Sequence, residues 1–279
     1  MSTLLDGYSS SVTDNTLSIK INKNGANPLI NVDTHRNINI YIDSNISSDC
    51  ILRIDSSLNE SNIKVNLASN SHLRLNFLRL YSNENIKTNV EVSVEGDAKF
   101  EGIVGEFAPS NASYDVLINL EKPGSEGYFR LATIAQGNED KNIKVNIVNK
   151  INNTIGKMDN YGVVKDEAKL LIEGIGTMKK GAYGSSSNQN NRIIIFDETS
   201  NANANPYLFI DEYDVKASHA CSVGQIDENQ IYYLMSRGLS KDLSRRYIAL
   251  GYLTPILEYF NSEELKDEVI DVLSKKVEK

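Results

Sequence analysis

The sequence predicts a mainly β protein: a β-solenoid that ends in a small C-terminal α-helical domain. Apolar and polar residues alternate with period two from Leu17 to about Val215, and the period turns helical after Asp227. A recurring hexapeptide favours a solenoid over the sandwich or barrel that alternation alone would also allow.

The alternation is clearest at 17–21, 38–42, 63–67, 73–77, 90–94, 116–120 and 143–147. It puts apolar side chains on one face of each strand and polar ones on the other. Asn, Ser, Asp and Gly fill the gaps and supply turns. No amphipathic helix interrupts the series, so alternating β-α-β folds are not expected. The hexapeptide Asn62-Ile63-Lys64-Val65-Asn66-Leu67 recurs from Asn85, 23 residues on, and again from Asn142, 57 residues beyond that. A 23-residue step suits one coil of a stacked repeat. The 57-residue step is no multiple of it, so convergent composition in an Asn-rich chain explains the recurrence equally well.

Asp227 is placed to N-cap a helix over 228–237, with Gln230 at the capping-box position, Ile231, Leu234 and Met235 as its apolar stripe, and Gly238 as its stop. Such a cap is worth about 1 kcal/mol. Ser240 caps a second helix with Leu243, Tyr247, Leu250, Leu253 and Leu257 on one face, and Pro255 kinks or ends it. Ser262 opens a third, acidic at its start (Glu263, Glu264) and basic at its end (Lys275, Lys276, Lys279), with Leu265, Val269, Val272 and Leu273 facing inward. The expected division is a β body over 1–226 and a helical domain over 227–279. About fifty residues bury little core alone, so the helical part is expected to lean on the body or on a partner.

A formal net charge of -8 gives no electrostatic support for nucleic-acid binding. Two cysteines, Cys50 and Cys221, are too few for a disulfide framework and fit a reducing compartment. The start of the chain lacks the basic and apolar regions of a signal peptide, and no apolar run approaches the roughly 20 residues of a membrane span. The expectation is a cytoplasmic protein with no membrane association. There is no phosphate-binding Gly-rich loop ending in Lys-Ser/Thr, no His-Glu-x-x-His and no Cys-x-x-Cys.

One local pair of metal-competent donors exists, His219 and Cys221. On a strand, residues i and i+2 share a face, so imidazole and thiol point the same way. A closed site needs roughly four donors, so the pair is half a site at most; the plain alternative is a packed thiol beside a hydrogen-bonded histidine. Cys50, at a strand start, reads as structural. Asp211, Glu212 and Asp214 are the acids a β-helical carbohydrate-active enzyme would use. They read more simply as a solvated loop, and the absence of Trp disfavours sugar stacking.

Residues 156–257 resemble the SufB/SufD family of iron–sulfur cluster assembly proteins. Asp159–Ala168 is similar to a stretch preceding that family's conserved coil, and Leu171–Gly176 resembles its strand with a close-packed glycine. Asn188–Arg192 stands where SufD-like chains carry a Gln-rich turn. Asn205-Pro206-Tyr207-Leu208-Phe209-Ile210, then Asp214-Val215, Ser218-His219 and Val223–Asp227 follow in order. Gln230, Tyr233-Leu234 and Ser236-Arg237-Gly238 resemble the family's C-terminal helix. The resemblance implies a right-handed parallel β-helix that does no turnover. It further implies that this β-helix pairs with a SufB-like subunit or with itself, and that Tyr233, Leu234, Ser236, Arg237 and Gly238 dock a SufC-like ATPase. SufB-like chains carry a cysteine before the strand of Pro206 and a glutamate after the histidine. Ser200 and Ala220 stand there, which places this chain on the SufD-like side. His219 is then an iron or cluster ligand at the subunit interface, and no tightly bound cofactor is implied. Cys221 departs from the family pattern, whose SufD-like cysteine falls at Ala217, and a family histidine near Asn149 is missing. A self-pairing structural solenoid would need no His219.

Overall fold

The computed structural model describes residues 2–5, 7–32, 35–54, 58–260 and 262–278. Strands run in chain order as β1 Ser2–Leu5, β2 Tyr8–Thr13, β3 Thr16–Ile21, β4 Leu29–Asn31, β5 Asn37–Ile42, β6 Ser47–Arg53, β7 Glu60–Leu67, β8 His72–Arg79 and β9 Ile86–Val94. They continue as β10 Lys99–Glu106, β11 Ala112–Leu120, β12 Glu126–Ala135, β13 Asp140–Asn149, β14 Ile155–Val164, β15 Lys169–Met178, β16 Ser185–Ile195, β17 Asn201–Ile210 and β18 Val215–Gln225. From β3 onward the odd strands pair in parallel as one sheet and the even strands as a second. Each rung thus gives one strand to each sheet, which is a β-solenoid. At its N-terminal end β1 and β2 fold back antiparallel on β3. At the other end β17 and β18 are the last strands of the two sheets.

The alternation read from sequence is the inner face of this stack. Ile19, Ile40, Val65, Val92, Ile118 and Ile147 lie one above another across the odd strands, all essentially buried. Burying each such side chain contributes about 1.5–3 kcal/mol. Cys50 also points inward; it sits mid-strand in β6 rather than at a strand start, and burial, with Asp49 beside it, pushes its thiol up to about 12.

One corner of the coil is turned by a column of residues in the left-handed region: Asn45 (φ 62°), Asn70 (59°), Asp97 (54°), Gly124 (76°), Asn153 (55°) and Gly184 (70°). Asn, Asp and Gly are the residues that tolerate this conformation. The two glycines are crowded as well: a Cβ would lie 2.1 Å from Asp97 Oδ1 at Gly124 and 2.5 Å from Asn153 Oδ1 at Gly184. Gly184→Ala is therefore expected to cost about 1–2 kcal/mol or more from the backbone alone, read as a lower urea midpoint; an unchanged midpoint would contradict the crowded corner.

Rung length is not constant. Asn37 and its neighbour Asn62 are 25 residues apart, Asn62 and Asn89 are 27, Asp115 and Lys144 are 29, and Asn160 and Asn191 are 31. This corrects the 23-residue recurrence: Asn62 lies beside Asn89, not Asn85, and Asn142 lies beside Ser113. The repeat is one of conformation, and turns of changing length move it out of step with the sequence.

After β18 come α1 Glu228–Ser236, α2 Lys241–Leu253, a 3-10 turn at Thr254–Tyr259 and α3 Glu263–Glu278. Asp227 caps α1 by accepting from the Asn229 amide, one residue earlier than a capping box would have it. Gly238 (φ 94°) ends α1, with Gly238 N–H donating to Met235 O and Leu239 N–H to Leu234 O, as in a Schellman motif. Ser240 and Ser262 cap α2 and α3 through the amides of Leu243 and Leu265. Pro255 converts the end of the second helix to the 3-10 turn.

The helices lie on the outer face of the even sheet. Leu78, Ile103, Ile134 and Val163 join Ala249, Leu253, Phe260, Val269 and Leu273 in a second apolar cluster. Polar contacts reinforce it. Arg245 donates to Asp197 (2.7 Å) and to the Phe196 carbonyl (2.8 Å), and Arg130 stacks on Tyr259 at 4.0 Å. The buried stripe of α2 is Ser244, Ala249 and Leu253; Tyr247, read as part of it, faces solvent. Among the described residues no helix is long and apolar enough to cross a membrane.

Candidate functional site

His219 and Cys221 sit on β18, opposite Gln189 and Asn191 of β16. Gln189 and Asn191 point into the solenoid and are buried, and neighbouring residues of parallel strands share a face. His219 and Cys221 therefore face the same way, toward the inside of the coil and the facing strand β17, as the i, i+2 spacing predicted. Both are exposed, because no further rung covers β18. The Cys221 thiol donates to the Ala204 carbonyl at 3.3 Å, and partial burial pushes its pKa up. That makes it a poor thiolate and a weak nucleophile in this state.

The layer beneath them is polar, in contrast to the aliphatic interior of the earlier rungs. Asn149, Asn160, Gln189 and Asn191 are all directed inward and buried. Asn160 Nδ2 donates to Asn191 Oδ1 (2.8 Å), Gln189 Nε2 to the Tyr207 carbonyl (2.8 Å), and Asn149 Nδ2 to Thr154 Oγ1 (2.8 Å). The other amide atoms, Asn149 Oδ1, Asn160 Oδ1, Gln189 Oε1 and Asn191 Nδ2, have no hydrogen-bond partner among the described residues. Gly176, on the facing strand, leaves the room that Ser187 and Gln189 occupy. Asn188–Arg192, read as a turn by resemblance, is thus the middle of β16. Asn149, near which the resemblance expects a histidine, is held by Thr154. These amides went unread because inward Asn and Gln look like loop residues in sequence.

Among the described residues no group of three or more His, Cys, Asp or Glu side chains encloses a metal site. His219 and Cys221 supply two donors, and any complete coordination would need more from outside the chain. Asp211, Glu212 and Asp214 form the β17–β18 turn. Glu212 accepts from the amides of Gly181 (3.0 Å) and Tyr213 (2.9 Å), and these bonds, Gly181's first, hold its carboxyl low. It is a turn-holding carboxylate rather than a paired catalytic acid.

The residues expected to meet a partner gather at the end of α1. Tyr233 is 56% exposed and Leu234 half-buried. Arg237 lies over the Tyr233 ring at 5.3 Å, and Ser236 Oγ donates to the Tyr233 carbonyl at 2.7 Å. Ile231 is the only α1 side chain that is buried. Tyr232, Met235 and Tyr247 add exposed apolar area that sequence had partly assigned inward. An open groove of about 460 Å³, lined by Asn190, Arg192 and Cys221 on one side and Gln230 and Tyr252 on the other, joins the end of the solenoid to α1.

Comparison with known proteins agrees with this architecture. The family model described as SUF system FeS cluster assembly, SufBD core domain, matches residues 21–252. The chain is similar to the iron–sulfur cluster assembly protein SufD of Bacillus subtilis, 33% identical over 181 residues, which are 65% of this chain and 41% of that protein. It is similar to SufD of Escherichia coli, 28% identical over 108 residues, 39% of this chain and 26% of that one. A SufBD family protein of Mycobacterium leprae is 24% identical over 202 residues, 72% of this chain and 23% of its own length. The chain thus spans well under half the length of these curated relatives. With its solenoid, its three C-terminal helices and a family match over most of its length, the chain belongs to the SufB/SufD family of iron–sulfur cluster assembly proteins and is SufD-like.

Proposed function

We propose that this chain is a non-catalytic scaffold in iron–sulfur cluster assembly, built to be completed by other subunits. The observation that carries the reading is the asymmetry of the solenoid's ends. The N-terminal end finishes in the antiparallel extension β1–β2 and in β4, a strand of 3 residues, whereas β17 and β18, of 10 and 11 residues, end the stack with long outer edges unpaired and His219 exposed on the last strand. Unpaired sheet edges recruit strands from another chain. A SufB-like subunit, or a second copy, adding strands there would bring its own donors to His219, and iron or a nascent cluster would pass as cargo through that seam. The exposed aromatic end of α1 is the docking surface for a SufC-like ATPase; Tyr and Arg are the residues that most often anchor such interfaces.

Co-expression with a SufC-like ATPase and a SufB-like subunit, followed by affinity capture through this chain, tests both surfaces separately. Tyr233→Asp and Arg237→Glu are each expected to lower ATPase capture at least tenfold and leave SufB-like capture unchanged. Undiminished ATPase capture by both variants would remove α1 from the interface. Failure of the unaltered chain to retain a SufB-like subunit, or to dimerise alone, would remove the seam.

A further inference from the structure

The end of α3 enters the body at a buried cluster of charge. Lys276 Nζ donates to the Ala108 carbonyl (3.1 Å), the Ile134 carbonyl (3.4 Å) and the Glu139 carboxylate (3.0 Å). Lys141 Nζ, from β13, donates to the same Ala108 carbonyl (2.9 Å) and to Glu106 of β10 (3.2 Å), and lies 3.5 Å from Glu139. Arg79 of β8 donates to Glu106 (3.1 Å), to Ser110 Oγ (2.6 Å) and to the Glu84 carbonyl. Tyr114 of β11 donates to the other Glu106 oxygen at 2.5 Å. Elsewhere on α3, Glu268 meets Arg53 and Tyr81, while Asp271 and Lys275 pair with each other in solvent.

Three basic side chains, Arg79, Lys141 and Lys276, thus share two carboxylates, Glu106 and Glu139, and each of the five side chains is at most 9% exposed. With every base protonated the cluster carries one surplus positive charge away from water, which is costly. Arg79 does not give up its proton, and Lys141 lies against both carboxylates whereas Lys276 meets Glu139 alone. Lys276 is the base whose loss of a proton balances the cluster. A neutral amine has two N–H groups, enough for its two shorter contacts, and releases the 3.4 Å one to Ile134.

We propose that α3 is a proton-operated latch: Lys276 seats in the body as a neutral amine and leaves it as an ammonium ion, so taking up a proton loosens the helical tail. Undocking would uncover the apolar strip of Leu78, Ile103, Phe107 and Ile134 that α3 helps to cover. The latch is a property of this chain and does not depend on any partner. Burial, with Lys141 nearby and against the pull of Glu139, brings the Lys276 amine down to about 7 from its ordinary 10.5. Between those two values the docked helix holds a neutral amine and the undocked helix a charged one. Undocking then binds a proton and becomes about tenfold rarer with each pH unit gained. Below about 7 both states are protonated, and this residue adds no further pH dependence.

The test is an NMR titration of lysine side-chain carbons and nitrogens in the full chain, with Lys276 assigned by the signal lost in Lys276→Arg. A midpoint near neutrality supports the latch; a midpoint above about 10, the ordinary lysine range, overturns it. A second readout is the rate of proteolytic release of the tail, corrected at each pH by an unstructured peptide carrying the same cleavage site. It is expected to fall about a hundredfold between pH 7.5 and 9.5 and to lose that slope in Lys276→Met. A slope retained in Lys276→Met overturns the assignment. Should that variant not fold, the titration of the unaltered chain decides.

Discussion

Replacing Glu106 with glutamine is expected to lower the unfolding free energy by about 3–5 kcal/mol. Glu106 is fully buried and accepts from Arg79, Lys141 and Tyr114. Burial alone would raise its pKa, yet Lys141, Arg79 and the hydrogen bond from Tyr114 hold it below the ordinary carboxylate range. It is therefore charged at neutral pH, and removing the charge strands two buried cations. The sign with pH follows: a depressed carboxyl contributes stability that is present above its unfolded pKa and is lost as pH falls through the folded one. A shift in the urea midpoint at constant slope reads the loss. The triple change Arg79→Met, Glu106→Leu, Lys141→Met should recover much of it, since a well-packed apolar replacement of a buried ionic group is often neutral. A cost under about 1 kcal/mol for Glu106→Gln, the range of an exposed ion pair, would mean that water reaches the cluster.

His219→Ala is expected to leave the fold and partner capture intact and to abolish cluster maturation in cells with no other assembly route. The side chain is exposed at the open end of the stack, so its loss removes little packing. The companion change Cys221→Ser should leave maturation near its normal level, because the thiol is engaged with the Ala204 carbonyl and pushed up in pKa. Normal maturation with His219→Ala would return that imidazole to an ordinary surface residue. Equal losses in both variants would make the two a joint ligand pair.

The body was legible where inward residues are aliphatic. β5, β7, β9, β11 and β13 were read directly, because Ile, Val and Leu alternate with Asn and Lys along them. β16 was not, because its inward positions include Ser185, Ser187, Gln189 and Asn191, and polar residues on both faces erase the period-two signal. The caps of the three helices were readable from Asp227, Ser240 and Ser262, since capping is local chemistry. What the helices lean on was not, for the partners of Lys276 and Arg245 lie 137 and 48 residues away along the chain. His219 and Cys221 were found because their i, i+2 spacing is local; the amides below them come from other rungs and meet only in space.

The lengthening of the rungs, from 21 residues (Thr16 to Asn37) to 32 (Lys169 to Asn201), gives the stack a built-in ruler. In an array of equal modules, one module can be skipped and the next will fit in its place, so slippage is nearly free of penalty. Here a skipped module would bring together perimeters that differ by several residues, and the Asn and Gly corners would fall out of line. Growth of the circumference along the axis therefore sets the early turns apart from the late ones, although some neighbouring turns are equal. It favours one stacking order in a chain with no true sequence repeat, with the longer turns at the open end.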